Sequence, residues 1–427
     1  LIPSIDIMDG RAVQLRRGRE LVIDAGDPFR WLDKFAVAGE VAIIDLDAAL
    51  GRGSNRELIQ AMVRLAPCRV GGGIRSAEAA RQWLTEGAAK VIIGTAASPS
   101  LLSELPKERV IVAVDAVAGE VVVDGWRSAT GRGVVESVRQ LAPYAGGFLF
   151  TQVDREGSME GFDRGLALEV IEAAAGTRVT VAGGIHRAEE IAWLDRHGAD
   201  AQVGMALYSG QLVLADAIAA PLDGGAAPWP TIVSDESGQA LGLVWSNMES
   251  LRRAIEERRG IYWSRSRNRL WYKGATSGNV QELLRVDLDC DRDAIRFVVR
   301  QAGEGFCHRG SWSCWDQGFG FSQLERLLIA RLEKQSADSL TARLHADPTL
   351  LRMKLLEEAE ELAQATGLWE TVHEAADLLY FTMVALISRG ARLADLLAEL
   401  GRRRGVRRSG GEKEPRDRNA ATNSLSG

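Results

Sequence analysis

From Leu1 to about Pro221, short runs rich in Val, Ile and Ala alternate with stretches of 10 to 15 residues whose apolar positions recur at helical spacing. The runs VAIIDLD, KVIIGT, VIVAVD, FLFTQVD, VTVAGG and AQVGMA predict strands, and their alternation with helices predicts βα units and a parallel sheet. The segment DGGAAPWP, residues 223–230, breaks this pattern with Gly, Ala and Pro and reads as a linker. Beyond it, TIVSDESGQALGLVW, GIYWSRS, LLRVDLDCD and AIRFVVRQ predict paired strands with one helix near Met248 to Arg259, a mixed α+β unit over 231–318. After WDQGFGF the period becomes that of amphipathic helices, from about Ser322 to Arg404, with breaks near Asp347-Pro348 and Gly367. An all-α helical bundle is expected over 319–404. Residues 405–427 hold too few apolar side chains to offset the entropy of ordering them, so a disordered tail is expected.

The first segment, 1–222, repeats internally. Asp6 to Asp115 spans 109 positions, Gly73 to Gly184 spans 111 and Gly94 to Gly204 spans 110. The matched pieces are SIDIMDG with AVDAVAG, VGGGIRSAEAA with VAGGIHRAEEI, and VIIGTAA with AQVGMAL. Two halves of four βα units predict an eight-stranded (β/α)8 TIM barrel, with an open sheet as the alternative. Each Gly-rich turn follows a predicted strand and precedes a helix, so its amides are placed for one phosphate, and two copies suit a substrate with two phosphates. Asp6 and Asp115 end repeat-equivalent strands, where opposed carboxylates can act as general base and general acid.

Composition narrows the function classes. The chain has 427 residues, 46% hydrophobic and 26% charged, and a net charge of −6. That length suggests roughly three domains at about 150 residues each. The negative balance disfavours nucleic acid as a partner, and no apolar run reaches the roughly 18 residues of a membrane span. Leu1 opens directly into LIPSIDI without a basic, signal-like start, so the cytoplasm is expected. Of four cysteines, Cys290, Cys307 and Cys314 crowd together while Cys68 lies apart, a clustering that suggests metal rather than disulfides.

With these residues in view, IPSIDIMDGRAVQL, DLDAALGRGSN, VGGGIRS, VIIGTAA, VDAVAGEVVVDGW and VGMALYSG resemble the phosphoribosylformimino-AICAR-phosphate isomerase family, over nearly all of Leu1 to Pro221. The resemblance implies a cofactor-free Amadori rearrangement of the aminoaldose ProFAR. It implies Asp6 as the base that takes the C2 proton, Asp115 as the acid that opens the sugar ring, and Thr151 as a supporting hydrogen bond. Gly73 with Arg75, Gly94, Thr95, Gly184 and Gly204 fall at the implied phosphate positions. One stretch departs from the family: Arg155, Glu156, Gly157 and Ser158 stand where Arg-Asp-Gly-Thr is usual. Glutamate shifts the charge by one methylene, and misplacement near 1 Å can cost on the order of 100-fold in rate. Three readings of the barrel stay open: an isomerase, a scaffold or dimerisation module, and a barrel that also isomerises phosphoribosylanthranilate.

In the middle segment, Asp289, Asp291 and Asp293 alternate with Cys290, so an extended strand would put three carboxylates on one face and the thiol on the other. Hard oxygens suit Mg²⁺ and thiolates suit Zn²⁺. Three thiolates from Cys290, Cys307 and Cys314 would leave a fourth zinc position for water, the catalytic arrangement, with His308 as a proton shuttle. YWSRSRNRLWYKGATSGNVQ, DLDCDRD and GFCHRGSWSC resemble the phosphoribosyl-AMP cyclohydrolase family over about Thr231 to Trp315. The resemblance implies hydrolytic opening of the adenine ring, with Zn²⁺ and Mg²⁺ on those two ligand sets. It also implies Arg265, Arg267, Lys273 and the Thr276-Ser277-Gly278 turn near the substrate phosphate, and zinc ligands drawn from two subunits of a homodimer.

In the helical segment, Glu357, Glu358 and Glu361 lie one turn apart or on adjoining flanks, and Glu374 and Asp377 repeat the spacing. Like charges so placed repel unless a cation sits among them. With SLTARLHAD and EAADLLYF, this stretch resembles phosphoribosyl-ATP pyrophosphohydrolases. The resemblance implies Mg²⁺ held by the five carboxylates, water attack on phosphoribosyl-ATP, and Lys354 at phosphate. The three implied reactions are successive, in an order opposite to that of the segments.

Overall fold

The computed structural model describes residues 1–222, 227–315, 319–334 and 339–403. Its first unit is a closed barrel of eight parallel strands: β1 (Ile2–Met8), β2 (Val41–Asp45), β3 (Cys68–Gly71), β4 (Lys90–Ile93), β5 (Val110–Val117), β6 (Gly147–Gln152), β7 (Arg178–Ala182) and β8 (Asp200–Val203). Each strand pairs with the next, and β8 returns to β1 with Ile2 opposite Gln202. Strands covered by helices outside and side chains inside bury both faces, which is why β6 is buried throughout. The predicted barrel is thus the observed architecture, and the open sheet is not.

The halves match in more than sequence. Hairpins follow β1 (Arg11–Arg16 with Glu20–Gly26) and β5 (Glu120–Val123 with Ser128–Gly133), insertions that the apolar pattern does not announce. Inside the barrel, Ile92, Ile111, Leu149 and Ala182 pack as a small layer of their own. Arg69 crosses the interior, donating from Nη1 to the Thr180 hydroxyl at 3.0 Å and from Nε to Glu40 at 2.7 Å. The two turns that open the cavity depend on glycine. Gly72 (φ +97°) lies against the Asp45 carbonyl, and Gly183 (φ +95°) against the Gln152 carbonyl, so closely that a Cβ would overlap either oxygen.

In the middle unit a four-stranded sheet has the order Ala240–Ser246, Trp229–Asp235, Ile295–Gln301, Gln281–Leu288, its central pair parallel and its outer pairs antiparallel. The helix Met248–Glu257 begins at Asn247, whose side chain accepts from the Ser250 amide at 2.9 Å. A hairpin, Ile261–Ser264 with Arg269–Tyr272, completes the unit. Two expectations are corrected. Trp229 and Pro230, read as linker, belong to the first strand of this sheet, because the Trp229 side chain is buried in the core; of the rest, residues 223–226 lie outside the described residues. The acidic run from Asp289 is a turn rather than an extended strand, since it must reverse the chain between the antiparallel strands Gln281–Leu288 and Ile295–Gln301.

Barrel and middle unit share one continuous hydrophobic core. The Val286 amide donates to the Val37 carbonyl at 2.9 Å, and the pairs Arg252–Asp216 and Arg292–Asp195 close at 2.7 and 2.8 Å. The third unit has the helices Phe321–Lys334, Leu340–Ala346, Pro348–Gln364, Leu368–Ile387 and Leu393–Arg403. Breaks fall at Asp347 and Gly367 as expected; those at the extended Ser339 and near Gly390 are not announced by the apolar period. The expected tail, 405–427, lies outside the described residues. Among the described residues no helix is long and apolar enough to cross a membrane.

Gly72→Ala combines a left-handed backbone with a backbone clash and is expected to destabilise the barrel by about 2 kcal/mol or more. A urea-unfolding midpoint equal to that of the unchanged protein would contradict this.

Candidate functional site

The barrel encloses a cavity of about 600 Å³ at the carboxyl ends of its strands. Asp6 from β1, Asp115 from β5 and Thr151 from β6 line it, as do Gly73, Arg75, Gly94, Thr95, Gly184 and Gly204. Residues some 110 positions apart in the chain therefore meet across one space, as the repeat implied. Asp115 and Thr151 are direct neighbours in the β5–β6 register, and the threonine hydroxyl donates to the carboxylate. The Trp126 indole donates to Asp115 as well, at 2.8 Å. Thr95 is engaged already, accepting from the Asp124 amide at 3.0 Å, and Arg75 donates to the Ala49 carbonyl at 3.2 Å.

Glu156 lines the same cavity. It reaches there because the loop Val153–Arg155 folds back onto the first hairpin, where the Arg17 amide donates to the Glu156 carbonyl at 3.0 Å. The sequence marked this residue as a departure from a pattern without showing that its carboxyl shares the chamber of Asp6 and Asp115. Burial raises the Asp6 carboxyl to about 7, and burial followed by repulsion from Asp6 and Asp115 raises Glu156 to about 8. Burial also raises Asp115, opposed by its hydrogen bonds from Trp126 and Thr151. Three carboxyls so crowded cannot all ionise near neutrality, so one can lack a proton while another keeps it.

In the middle unit the oxygens of Asp289, Asp291 and Asp293 come within 4.8 Å of one another despite the turn. Asp289 accepts from the Asp293 and Ala294 amides at 3.1 Å, which tightens the turn. Hydrogen bonding to Asp289 and repulsion from Asp291 push the Asp293 carboxyl up. The cysteines are divided. A backbone turn linking Cys307 to Ser311 at 3.0 Å, and the Cys314 amide bonded to Leu241 at 2.8 Å, bring Cys307 and Cys314 side by side. Cys290 is exposed on the acidic turn, 3.9 Å from Asp291. Among the described residues, neither of the two groups of three ligating side chains within mutual reach contains a cysteine.

Lys273 is buried beside Cys307 and Cys314, its Nζ 5.4 Å from the Phe306 ring centre, and burial lowers its pKa. Arg265 lies over Trp245 at 3.7 Å, Arg267 donates to Ser264 at 3.1 Å, and Thr276, Ser277, Gly278 and His308 are exposed. In the helical unit, Glu358 on Pro348–Gln364 meets Glu374 and Asp377 on Leu368–Ile387, with all three donors within 4.8 Å. Glu358 is buried, and burial together with Asp377 and Glu361 raises its pKa. Glu357 and Glu361 are exposed on the flank; Lys354 bonds Glu357 at 2.9 Å and approaches Glu358 at 3.8 Å. Hard carboxylate oxygens gathered twice in this way fit divalent cations.

Comparison with known proteins finds three families in succession along the chain. The profile of the histidine biosynthesis protein family matches residues 1–213, that of phosphoribosyl-AMP cyclohydrolase 242–316, and that of phosphoribosyl-ATP pyrophosphohydrolase 321–404. A histidine biosynthesis bifunctional protein of Schizosaccharomyces pombe is 46% identical over 185 residues, 43% of this chain and 44% of its own length. The histidine biosynthesis trifunctional protein of Saccharomyces cerevisiae is 46% identical over 169 residues, 39% of this chain and 21% of its own. The chain thus spans less than half the length of these relatives. A phosphoribosyl imidazole-4-carboxamide isomerase of Methanosphaerula palustris is 37% identical over 235 residues, 52% of this chain and 98% of its own length. With one relative covered almost from end to end and the three domains matched in order, the chain belongs to the histidine biosynthesis protein family.

Proposed function

We propose that this chain carries three successive steps of histidine synthesis: hydrolysis of phosphoribosyl-ATP to phosphoribosyl-AMP and pyrophosphate, opening of the adenine ring of phosphoribosyl-AMP, and isomerisation of the resulting aminoaldose, ProFAR. The observation that carries the reading is the meeting of Asp6, Asp115 and Glu156 in one cavity between the repeated glycine turns. In the isomerase step Asp6 takes the C2 proton, and Asp115, steadied by Thr151 and Trp126, gives a proton to the ring oxygen as the sugar opens. Glu156 supports this reading over a non-catalytic scaffold, because its added methylene still leaves the carboxyl lining the cavity. Gly73 and Gly184 hold the terminal phosphates through bare amides at the starts of the helices Ala77–Glu86 and Ala188–Arg196.

For the two hydrolytic steps, Cys307 and Cys314 of one chain with Cys290 of a second would hold Zn²⁺. The separation of Cys290 from the other two supports a homodimer. Asp289, Asp291 and Asp293 in the middle unit, and Glu358, Glu374 and Asp377 in the helical unit, would hold Mg²⁺. When bound, these ions supply an activated water and charge neutralisation at phosphate. His308 moves the proton at the opening ring, and Lys273 neutralises charge next to the thiolates. Arg265 and Arg267, exposed on their hairpin with the Thr276-Ser277-Gly278 turn, receive the phosphate of phosphoribosyl-AMP.

The test feeds phosphoribosyl-ATP to the purified chain with Mg²⁺ and Zn²⁺ and separates intermediates by chromatography. Glu358→Ala is expected to stop pyrophosphate release while phosphoribosyl-AMP, supplied directly, is still opened; persistent release would remove Glu358 from the site. Cys307→Ser is expected to abolish ring opening and lower the zinc content by elemental analysis, and retention of both would sink the zinc assignment. For the barrel, the base Asp6 must be deprotonated, and burial raises its carboxyl to about 7. Isomerase kcat/KM should therefore rise as pH passes through about 7 and Asp6 loses its proton. Asp6→Asn should remove activity by at least about 100-fold, and a flat pH profile in the unchanged protein would refute Asp6 as the base.

A further inference from the structure

The acidic turn of the middle unit contains its own cation. Arg292 sits between Asp291 and Asp293 in the chain, three residues after Asp289, with a left-handed backbone (φ +66°). Guanidinium–carboxylate pairs are among the strongest polar contacts available to a side chain, so three adjacent carboxylates are its natural partners. It does not take them. Its Nε and Nη2 pair with the two oxygens of Asp195 at 2.9 and 2.8 Å, and its Nη1 donates to the backbone carbonyl of Asp289. Asp195 belongs to the barrel, near the end of the helix Ala188–Arg196, 97 positions away in the chain. The pair is partly shielded, with 28% of the Arg292 and 18% of the Asp195 side chain exposed, so solvent screens it less than a surface pair.

We infer that Asp195 holds the Arg292 guanidinium away from Asp289, Asp291 and Asp293, so that the barrel keeps the acidic site of the middle unit open to a divalent cation. Arg292 and Asp195 are positioning residues in this scheme, and neither is a ligand. The inference rests on reading those three aspartates as Mg²⁺ ligands. Released from Asp195, the guanidinium would be a tethered cation at very high local concentration, competing with the metal for the same oxygens. The same tie fixes the middle unit against the helix Ala188–Arg196, which follows the Gly183-Gly184 turn in the chain, so one element connects the barrel's phosphate turn to the neighbouring metal turn.

The experiment measures Mn²⁺ binding to the full chain by electron paramagnetic resonance of the free ion, with Glu358→Gln present throughout to silence the helical cluster. Asp195→Asn is expected to weaken binding by about fivefold or more. Adding Arg292→Gln to that variant is expected to restore binding to within about twofold of the parent, because the competitor is gone. Unchanged affinity in Asp195→Asn, or weakened affinity that Arg292→Gln does not restore, overturns the inference, the second result marking a merely structural contact. Asp291→Asn reports separately on the underlying reading: it should lose the Mn²⁺ site, and if it does not, the aspartates are not the ligands and the inference falls with them.

Discussion

Closure of the eight-stranded sheet is the constraint on which the rest of this molecule depends. The return of β8 to β1 and the pairing of β5 with β6 leave the barrel without an edge, so every strand end is fixed in height and direction by two neighbours. Asp6 and Asp115, at the ends of strands four places apart in the ring, are thereby held across a common space. Gly72 and Gly183 permit the loops to pass close over the strand ends, and they do so at equivalent positions of the two halves. A site built in this way sits on rigid elements. Of the three carboxyls only Glu156 arrives on a loop, and that loop is tied down by a backbone hydrogen bond to Arg17.

The closed barrel also serves as a foundation for its neighbour. The backbone bond from Val286 to Val37, the shared core and the pairs Arg252–Asp216 and Arg292–Asp195 join the middle unit to it over apolar and polar contacts together. The helical unit is attached differently. Its own buried cluster is seven residues among those described, and Arg326 over Trp312 at 4.2 Å, with Arg326 bonded to Gln239 at 3.3 Å, links it to the middle unit. Arg109 of the barrel bonds the Arg402 carbonyl at 2.8 Å. Contacts of this kind fix position with little apolar burial.

All three units gather like charges, and they offset the cost in different ways. In the barrel the carboxyls are buried, and raised pKa values let the group share protons instead of ionising together. In the middle unit the carboxylates are mostly exposed and backbone amides hold Asp289. In the helical unit Glu358 is buried between two helices, with Lys354 partly compensating. Proton chemistry suits the first arrangement, and cation binding suits the other two.

Much of this was legible in the chain. Runs of Val and Ile separated by helical periods specified a parallel sheet, and the repeat of about 110 residues specified eight strands in two halves, because each pattern is local and records which faces must be buried. The motifs carried Asp6, Asp115 and the glycine turns for the same reason. The sequence did not specify that Asp289 to Asp293 form a turn, since alternation of residue types is compatible with any backbone until the flanking strands are paired. Nor did it specify that Trp229 enters a core, that Glu156 faces Asp6, or that Arg292 finds its partner 97 positions away on another unit. Those facts depend on distances between segments remote in the chain, and such distances exist only once the sheet has closed and the units have packed.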